Sequence, residues 1–433
     1  MKENYLLKTD SAVRLYREHL CDLPIIDFHN HVSVKDIKGK KRYSSLTEIW
    51  LSADPYKHRL MRICGIPEYY ITGDAEPYQK LERFFEIFPR LAGTPVYDWS
   101  RMELSRIFGI DGIPTPQNAR YVYDKCGEML SSEEFTCDAI LSRFGIEYQS
   151  PVATAFDELS DFDGVTTAPS LRGDELLSPT AELYKRLGER TGIRVTDTDS
   201  YVRSISLILD SFSKKGCKFA DHALDDGFFS DGAGEKRELL IRLGNEYAKR
   251  GWTLLLHLGA KRQTSQRLKA LAGAAGGYAA TGGGFDVSAL CDTLGEMEAM
   301  GGLPDTVLFP LNMNDQAPIS VMQGSFSEDG TPSKVQLGPA WWWCDHAMGI
   351  ENTLECISSF GVLSEFIGMT TDSRSILSFV RHDYFRRIFA SYLTERNDMR
   401  EWELTESMLG EIGRRVCYEN AKSKILKVKP RTK

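Results

Sequence analysis

Apolar and polar positions alternate along this chain in two rhythms. Short apolar runs, each closed by polar residues or a turn, lie at 23–29, 145–152, 164–172, 217–224, 252–259, 305–312, 335–343 and 366–374. Between most of them lie stretches such as 236–250, where apolar residues recur every three or four positions, the spacing of an amphipathic helix. Strand-like runs alternating with helical ones predict a parallel sheet with helical crossovers, and eight repeats predict closure into an α/β (β/α)8 barrel. The last run then lies beside the first.

One interval breaks the rhythm. Residues 30–144 separate the first run from the second, far more than an ordinary connection. Much of it has helical character, at 46–51, 78–88 and 118–130, with Pro and Gly punctuation between. We read one barrel over residues 1–433 with a helical insertion at 33–143, placed after the first strand, where it helps to wall a pocket at the barrel mouth. The glycine-rich stretch 270–284 suits a mobile loop after the fifth strand; it has no GxGxxG or Walker spacing. The first twenty residues predict an amphipathic helix capped by Asp10 or Ser11, not a signal peptide.

Composition narrows the class. No apolar run approaches the ~18 residues of a membrane span. Lys and Arg total 53 against 61 acidic residues, a net charge of −8, with no basic run, so nucleic acid is not an expected partner. The same field repels acidic ligands, so any such ligand needs local arginines. Nine scattered cysteines without a CxxC pair point to reduced thiols in a cytoplasmic protein.

Candidate chemistry collects at the ends of the strand-like runs. In Asp27-Phe28-His29-Asn30-His31, the two histidines are two residues apart and share a face, as a divalent-metal pair would; two polar loop histidines are the bland alternative. Asp372 and Arg374 share a face of the eighth run by the same period and sit beside strand one, unless they form a stabilising Asp–Arg pair. His257 ends the apolar run Leu-Leu-Leu-His, as a ligand or a satisfied core histidine. Arg172, Arg262 and Arg374 gather three guanidinium groups about one pocket, unfavourable unless an anion such as a carboxylate satisfies them. Asp221-His222 is either an orienting pair or structure. Trp341-Trp342-Trp343 reads first as packing between barrel and helices, although sugar rings also stack on indoles.

With these residues in place, the chain resembles the uronate (glucuronate) isomerases of the amidohydrolase superfamily, nearly end to end. The most specific stretch is Gly368-Met369-Thr370-Thr371-Asp372-Ser373-Arg374-Ser375, followed by Arg381-His382-Asp383-Tyr384-Phe385-Arg386-Arg387. Gly216-Cys217-Lys218 with Asp221-His222-Ala223-Leu224, His257-Leu258-Gly259-Ala260 with Arg262, and Trp341-Trp342 also match. The resemblance implies aldose–ketose isomerisation of hexuronates, glucuronate to fructuronate or galacturonate to tagaturonate. It implies metal ligands at His29, His31 and Asp372 with His257 beside them, and a divalent ion such as zinc. It places substrate-binding arginines at Arg172, Arg262 and Arg374 and an active-site tyrosine at Tyr56; His222 and Trp341 join them as expected substrate contacts. Asp372 is the expected base, with His257 beside it and Tyr56, or a water held by the metal, serving the sugar oxygens. Asp372 cannot be a tight ligand and a free base at once. A homo-oligomer is compatible with the family.

Several positions depart from the family pattern. Asp54-Pro55-Tyr56-Lys57 has proline where the family usually has histidine, with His58 close by. Leu171 replaces a tryptophan, Met313-Asn314-Asp315 replaces Pro-Arg-Asp, and Gln149-Ser150-Pro151 replaces a Thr/Asp-rich strand end. These changes are expected to cluster at the mouth and to alter the substrate more than the reaction. Two other readings compete. A hydrolase of sugar lactones or related acids would use the same scaffold, but its usual histidine at strand six and bridging residue at strand four are not evident. A non-catalytic binding protein would not need both Asp372 and the histidine pair.

Overall fold

The computed structural model describes residues 2–161, 166–230, 234–273 and 276–426. Seven parallel strands pair in sequence order around a curled sheet: β1 (Ile25–Asn30), β2 (Ile146–Thr154), β3 (Ser170–Arg172), β4 (Phe219–Leu224), β5 (Thr253–Leu258), β6 (Asp305–Pro310) and β7 (Val335–Leu337). Helices cover the outer face, so β5 and β6 are buried along their whole length. That is why their sequences read as near-continuous apolar runs.

The eighth run closes the barrel without forming a regular strand. Asp372 N–H donates to His29 O at 3.1 Å and His31 N–H donates to Ser373 O at 2.8 Å, stitching the segment to β1. Ile367 N–H donates to the Gln336 side chain on β7. Gly368 (φ +85°) and Asp372 (φ +46°) both lie in the left-handed region, which breaks the extended repeat. Only glycine fits at 368, because a Cβ there would stand 2.0 Å from Val416 O. The Thr370 hydroxyl accepts from His29 N–H in place of a ladder carbonyl.

Residues 31–145 hold helices and turns only, including Leu46–Trp50, Pro77–Ile87 and Ala119–Leu130, close to the expected segments. The N-terminal helix Asp10–Leu15 is capped by Thr9, not by Asp10 or Ser11. The third run gives β3 and a two-residue pairing at Thr166–Thr167; Gly164 and Val165 lie outside the described residues. The seventh stops at Leu337, and Trp342–Cys344 form a tight 3-10 turn. The stretch 270–284 is not one loop. It contains the end of helix Gln266–Ala272 and a short antiparallel pairing of Ala280–Thr281 with Ala260–Lys261, while Ala274 and Ala275 lie outside the described residues. No helix among the described residues is long and apolar enough to cross a membrane.

Candidate active site

The C-terminal ends of the strands open into one pocket lined by His29, His31, Arg172, Asp221, His257, Arg262, Trp341, Trp342, Asp372 and Arg374. The insertion adds Ala53, Asp54, Pro55 and Tyr56, and residues 277–279 close another side. Nine of the ten site residues expected from sequence therefore meet. The tenth, His222, does not line the pocket: it faces outward, its Nε2 2.9 Å from the Tyr247 hydroxyl, packed so closely under Gly173 that a Cβ there would collide with the ring. Its neighbour Asp221 points inward instead.

The imidazoles cluster around Asp372. Its Oδ1 lies 3.3 Å from His29 Nε2 and 3.1 Å from His31 Nε2. The ring of His257 sits 4.9 Å from that of His29, stacks on Phe309 and meets Trp341 edge-on at 4.6 Å. Burial opposes the charge of Asp372, but hydrogen bonds and charge from His29 and His31 override it and hold the carboxyl well below its usual range. Burial likewise opposes Asp221, which His257, His29 and Arg172 keep ionised. The left-handed backbone at Asp372 aims its carboxylate at the histidines, a role the regular period-two strand was expected to fill.

Two observations test whether these residues suit a metal. His29 Nε2 and His257 Nε2 are buried and make no hydrogen bond of ordinary geometry, which is costly for imidazole unless something else fills the position. Asp221 Oδ1 accepts from His257 Nδ1 at 2.6 Å, which leaves Nε2 as the ring nitrogen open to the pocket. His29, His31 and Asp372 form one group with ligand atoms within 4.8 Å, and His29, Asp221 and His257 form another. Mixed nitrogen and carboxylate donors fit a borderline divalent cation.

The arginines face the cluster. Arg172 pairs with Asp174 at 2.9 Å and approaches His31 Nδ1 at 3.4 Å. Arg262 pairs with Asp225 at 2.9 Å and lies over the Trp342 ring. Arg374 makes no ion pair among the described residues; burial, and the charges of Arg172 and Arg262 against that of Asp372, lower its pKa. An anion in the pocket would relieve that crowding.

Tyr56 arrives from the helix Pro55–Ile63. Asp54 caps it, accepting from Tyr56 N–H at 2.9 Å and Lys57 N–H at 3.1 Å, and Pro55 occupies the first turn, where its fixed φ suits the helix. Tyr56 is buried between Trp99 and Trp343, its hydroxyl without a well-formed partner. Burial keeps the phenol protonated far above its ordinary range, against the pull of Arg381. Of the departures in sequence, only Pro55 touches this pocket. Leu171 is core, Asn314 is exposed, Ser150 bonds to Ala168 O, and His58 Nε2 bonds to Leu51 O at 2.8 Å, away from the pocket.

Comparison with known proteins agrees with this geometry. A family model described as glucuronate isomerase matches residues 1–238 and 231–424. Uronate isomerases of Caldanaerobacter subterraneus and Oceanobacillus iheyensis are 33% and 34% identical, covering 98% and 97% of both chains in each pair. The uronate isomerase of Thermotoga maritima superposes with a TM-score of 0.90 at 26% identity, covering 98% of this chain and 99% of its own. The glucuronate isomerase of Caulobacter crescentus, at 21% identity and a TM-score of 0.86, shares the fold.

Proposed function

This chain belongs to the glucuronate isomerase family, and we propose that its pocket isomerises a hexuronate by moving one proton between C2 and C1 through an enediol, with Asp372 as base and Tyr56 as acid. The family assignment carries aldose–ketose isomerisation rather than the hydrolase alternative. The observation that supports these roles is the shared pocket. An ionised buried carboxylate and a protonated buried phenol stand there opposite Arg374, which has no ion pair among the described residues.

Arg374, with Arg172 and Arg262, would hold the substrate carboxylate and fix the sugar chain, converting a diffusive encounter into a positioned one. Asp372 takes the C2 proton. The electron pair forms the C1–C2 double bond while O1 receives a proton from the Tyr56 hydroxyl. Tyr56 regains a proton from the O2 hydroxyl, and Asp372 returns its proton to C1, leaving a ketone at C2. Because Asp372 is held well below its usual range it is a weak base, so the C2 proton must be acidified by carbonyl polarisation. A divalent ion bound by His29, His31, His257 and Asp372, with Asp221 behind His257, would supply that polarisation. Zinc is the ion we expect. Asp372 would then be a ligand in the resting site and a base only when free. The helices of 33–143 act as the wall that brings Tyr56 to a barrel formed by the rest of the chain.

Proton NMR of the purified protein with D-glucuronate and D-galacturonate tests the reaction and reads the epimer preference. Ketose formation absent in Asp372→Asn is expected; no conversion of either sugar would sink this reading. Metal binding is tested apart from turnover, by calorimetric titration of the chelator-treated protein with Zn²⁺. A double variant, His29→Gln with His257→Gln, should abolish the binding isotherm, and an unchanged isotherm would place the metal elsewhere.

A further inference from the structure

Behind the pocket lies a buried ionic cluster that the reaction above does not use. Its centre is Arg381, 1% exposed, in the first turn of the helix Val380–Met399. A lone buried guanidinium is costly, so its surroundings must explain it. Its guanidinium carbon lies 4.8 Å from the centre of the Tyr56 ring and 3.8 Å from that of Trp99, two rings set edge to face. It donates to Asp345 Oδ2 and to the carbonyl of Thr371, each at 3.3 Å. Thr371 is the residue immediately before Asp372.

The same helical turn holds Thr371 from its other side. His382 Nε2 lies 2.9 Å from Asp27 Oδ2, and that carboxylate accepts from Thr371 N–H at 3.0 Å. Both backbone polar groups of Thr371 are thereby fixed from residues 381 and 382. The strained turn at Asp372 follows at once, and such a conformation persists only where its surroundings over-determine it. Tyr56, by contrast, comes from the insertion, more than three hundred residues away in sequence, and no hydrogen bond of good geometry holds its hydroxyl. Arg381 links the two, its guanidinium over the Tyr56 ring and its Nη1 donating to the carbonyl of Thr371.

We propose that Arg381 is a positioning residue of the isomerisation, tying the Tyr56 ring to the backbone that presents Asp372 so that acid and base keep one separation. This rests on the roles given to Tyr56 and Asp372 above. Asp345 orients the guanidinium from the far side. Arg381 Nε and Asp345 Oδ1 are buried without hydrogen-bond partners among the described residues, so the pair is not arranged for maximal stability. Replacing Arg381 would leave Asp345 alone in the interior, where burial already pushes its carboxyl up to about 7; protonation then relieves the loss, and the variant can fold.

The test is a double-mutant cycle on the holoenzyme between Arg381→Met and Tyr56→Phe. Arg381→Met should lower kcat by about 100-fold, the loss expected of a roughly 1 Å misplacement, with KM unchanged. Arg381→Lys, which keeps the charge and some of the contact, should recover part of it. In the Tyr56→Phe background the Arg381→Met loss should shrink well below 100-fold, because the spacing of the Tyr56 hydroxyl from Asp372 is what the guanidinium sets. Full additivity of the two losses, or a change confined to KM, would overturn the inference while leaving the roles of Tyr56 and Asp372 intact. Wild-type kcat in Tyr56→Phe alone would instead strike the role of Tyr56. Should Arg381→Met not fold, Asp345→Asn takes its place in the cycle: a several-fold lower kcat that shrinks with Tyr56→Phe supports the inference, and an unchanged kcat refutes it.

Discussion

The two ends of the barrel treat buried charge in opposite ways. At the base, Asp305 opens β6 against Lys424 Nζ at 2.9 Å and Lys334 Nζ at 3.8 Å, and Lys424 also donates to Pro332 O. Those charges are answered from within the chain. At the mouth, His257 Nε2, the Tyr56 hydroxyl and Trp341 Nε1 are buried without a hydrogen-bond partner among the described residues, His29 Nε2 reaches only Asp372 at 3.3 Å, and Arg374 has no ion pair among those residues. Groups left open in this way are completed by something other than the protein. The base holds the barrel together; the mouth leaves groups open, as the proposed metal and substrate would require.

The contrast breaks first at Asp372. Asp372→Asn removes the base and a ligand, so activity should fall by about 10²–10⁴-fold. Its melting temperature should fall only modestly: the histidines favour the charge that is lost, but a left-handed turn accepts Asn readily. A large loss of stability would mean that this carboxylate is structural like Asp305, and the division between mouth and base would fail.

The base gives the converse. Lys424→Met removes the nearer cation of the buried Asp305 carboxylate, and breaking such a buried pair costs about 3–5 kcal/mol. Chemical denaturation should report that loss while kcat at 25 °C stays at the wild-type value. A kcat lowered in step with stability would show that the two ends are coupled.

Arg374→Met sharpens the picture at the mouth. Losing one charge-assisted contact to the substrate carboxylate should cost about 1.5–3 kcal/mol in kcat/KM, about 10- to 150-fold. Stability should rise slightly, since the crowding with Arg172 and Arg262 eases. An unchanged kcat/KM would remove Arg374 from the binding set.

How far the sequence carried can be judged on the same two ends. Strands such as β5 were legible because a parallel strand covered on both faces has no polar side to hide. That same property hides which side chain faces inward. Asp221 and His222 are both buried on β4, and only their side-chain partners show that Asp221 meets His257 while His222 turns to Tyr247. Ala223, two residues on, also lines the pocket; that spacing was the available signal for Asp221. The eighth run was located correctly, and Asp372 with it. Its expected regular strand was not found, because left-handed Gly368 and Asp372 interrupt it. Tyr56 was legible through family resemblance, since helical periodicity in the insertion cannot say which residue reaches a distant mouth. The contact of Arg381 with Tyr56 is a product of tertiary packing and leaves no local trace.

The smallest effect concerns the cluster that stands between mouth and core. Burial, opposed by Arg381 and reinforced by the charge of Asp372, raises the Asp345 carboxyl from 3.8 to about 7. A carboxyl raised on folding holds a proton that the unfolded chain gives up. Its contribution to stability is therefore full below about pH 4 and is lost as pH climbs through about 7. Other carboxylates, such as Asp54 beside Lys57, are lowered and slope the other way, so the raw melting curve mixes both signs. The difference between Asp345→Asn and wild type isolates this group. The variant's melting temperature should gain on the wild type steadily from pH 4 to pH 7 and then level off. A flat difference would mean that Arg381 fully compensates the charge at every pH. The pair would then be a closed ion pair like Lys424 with Asp305, belonging by its physics to the base of the barrel, and Arg381 would have less freedom to serve Tyr56.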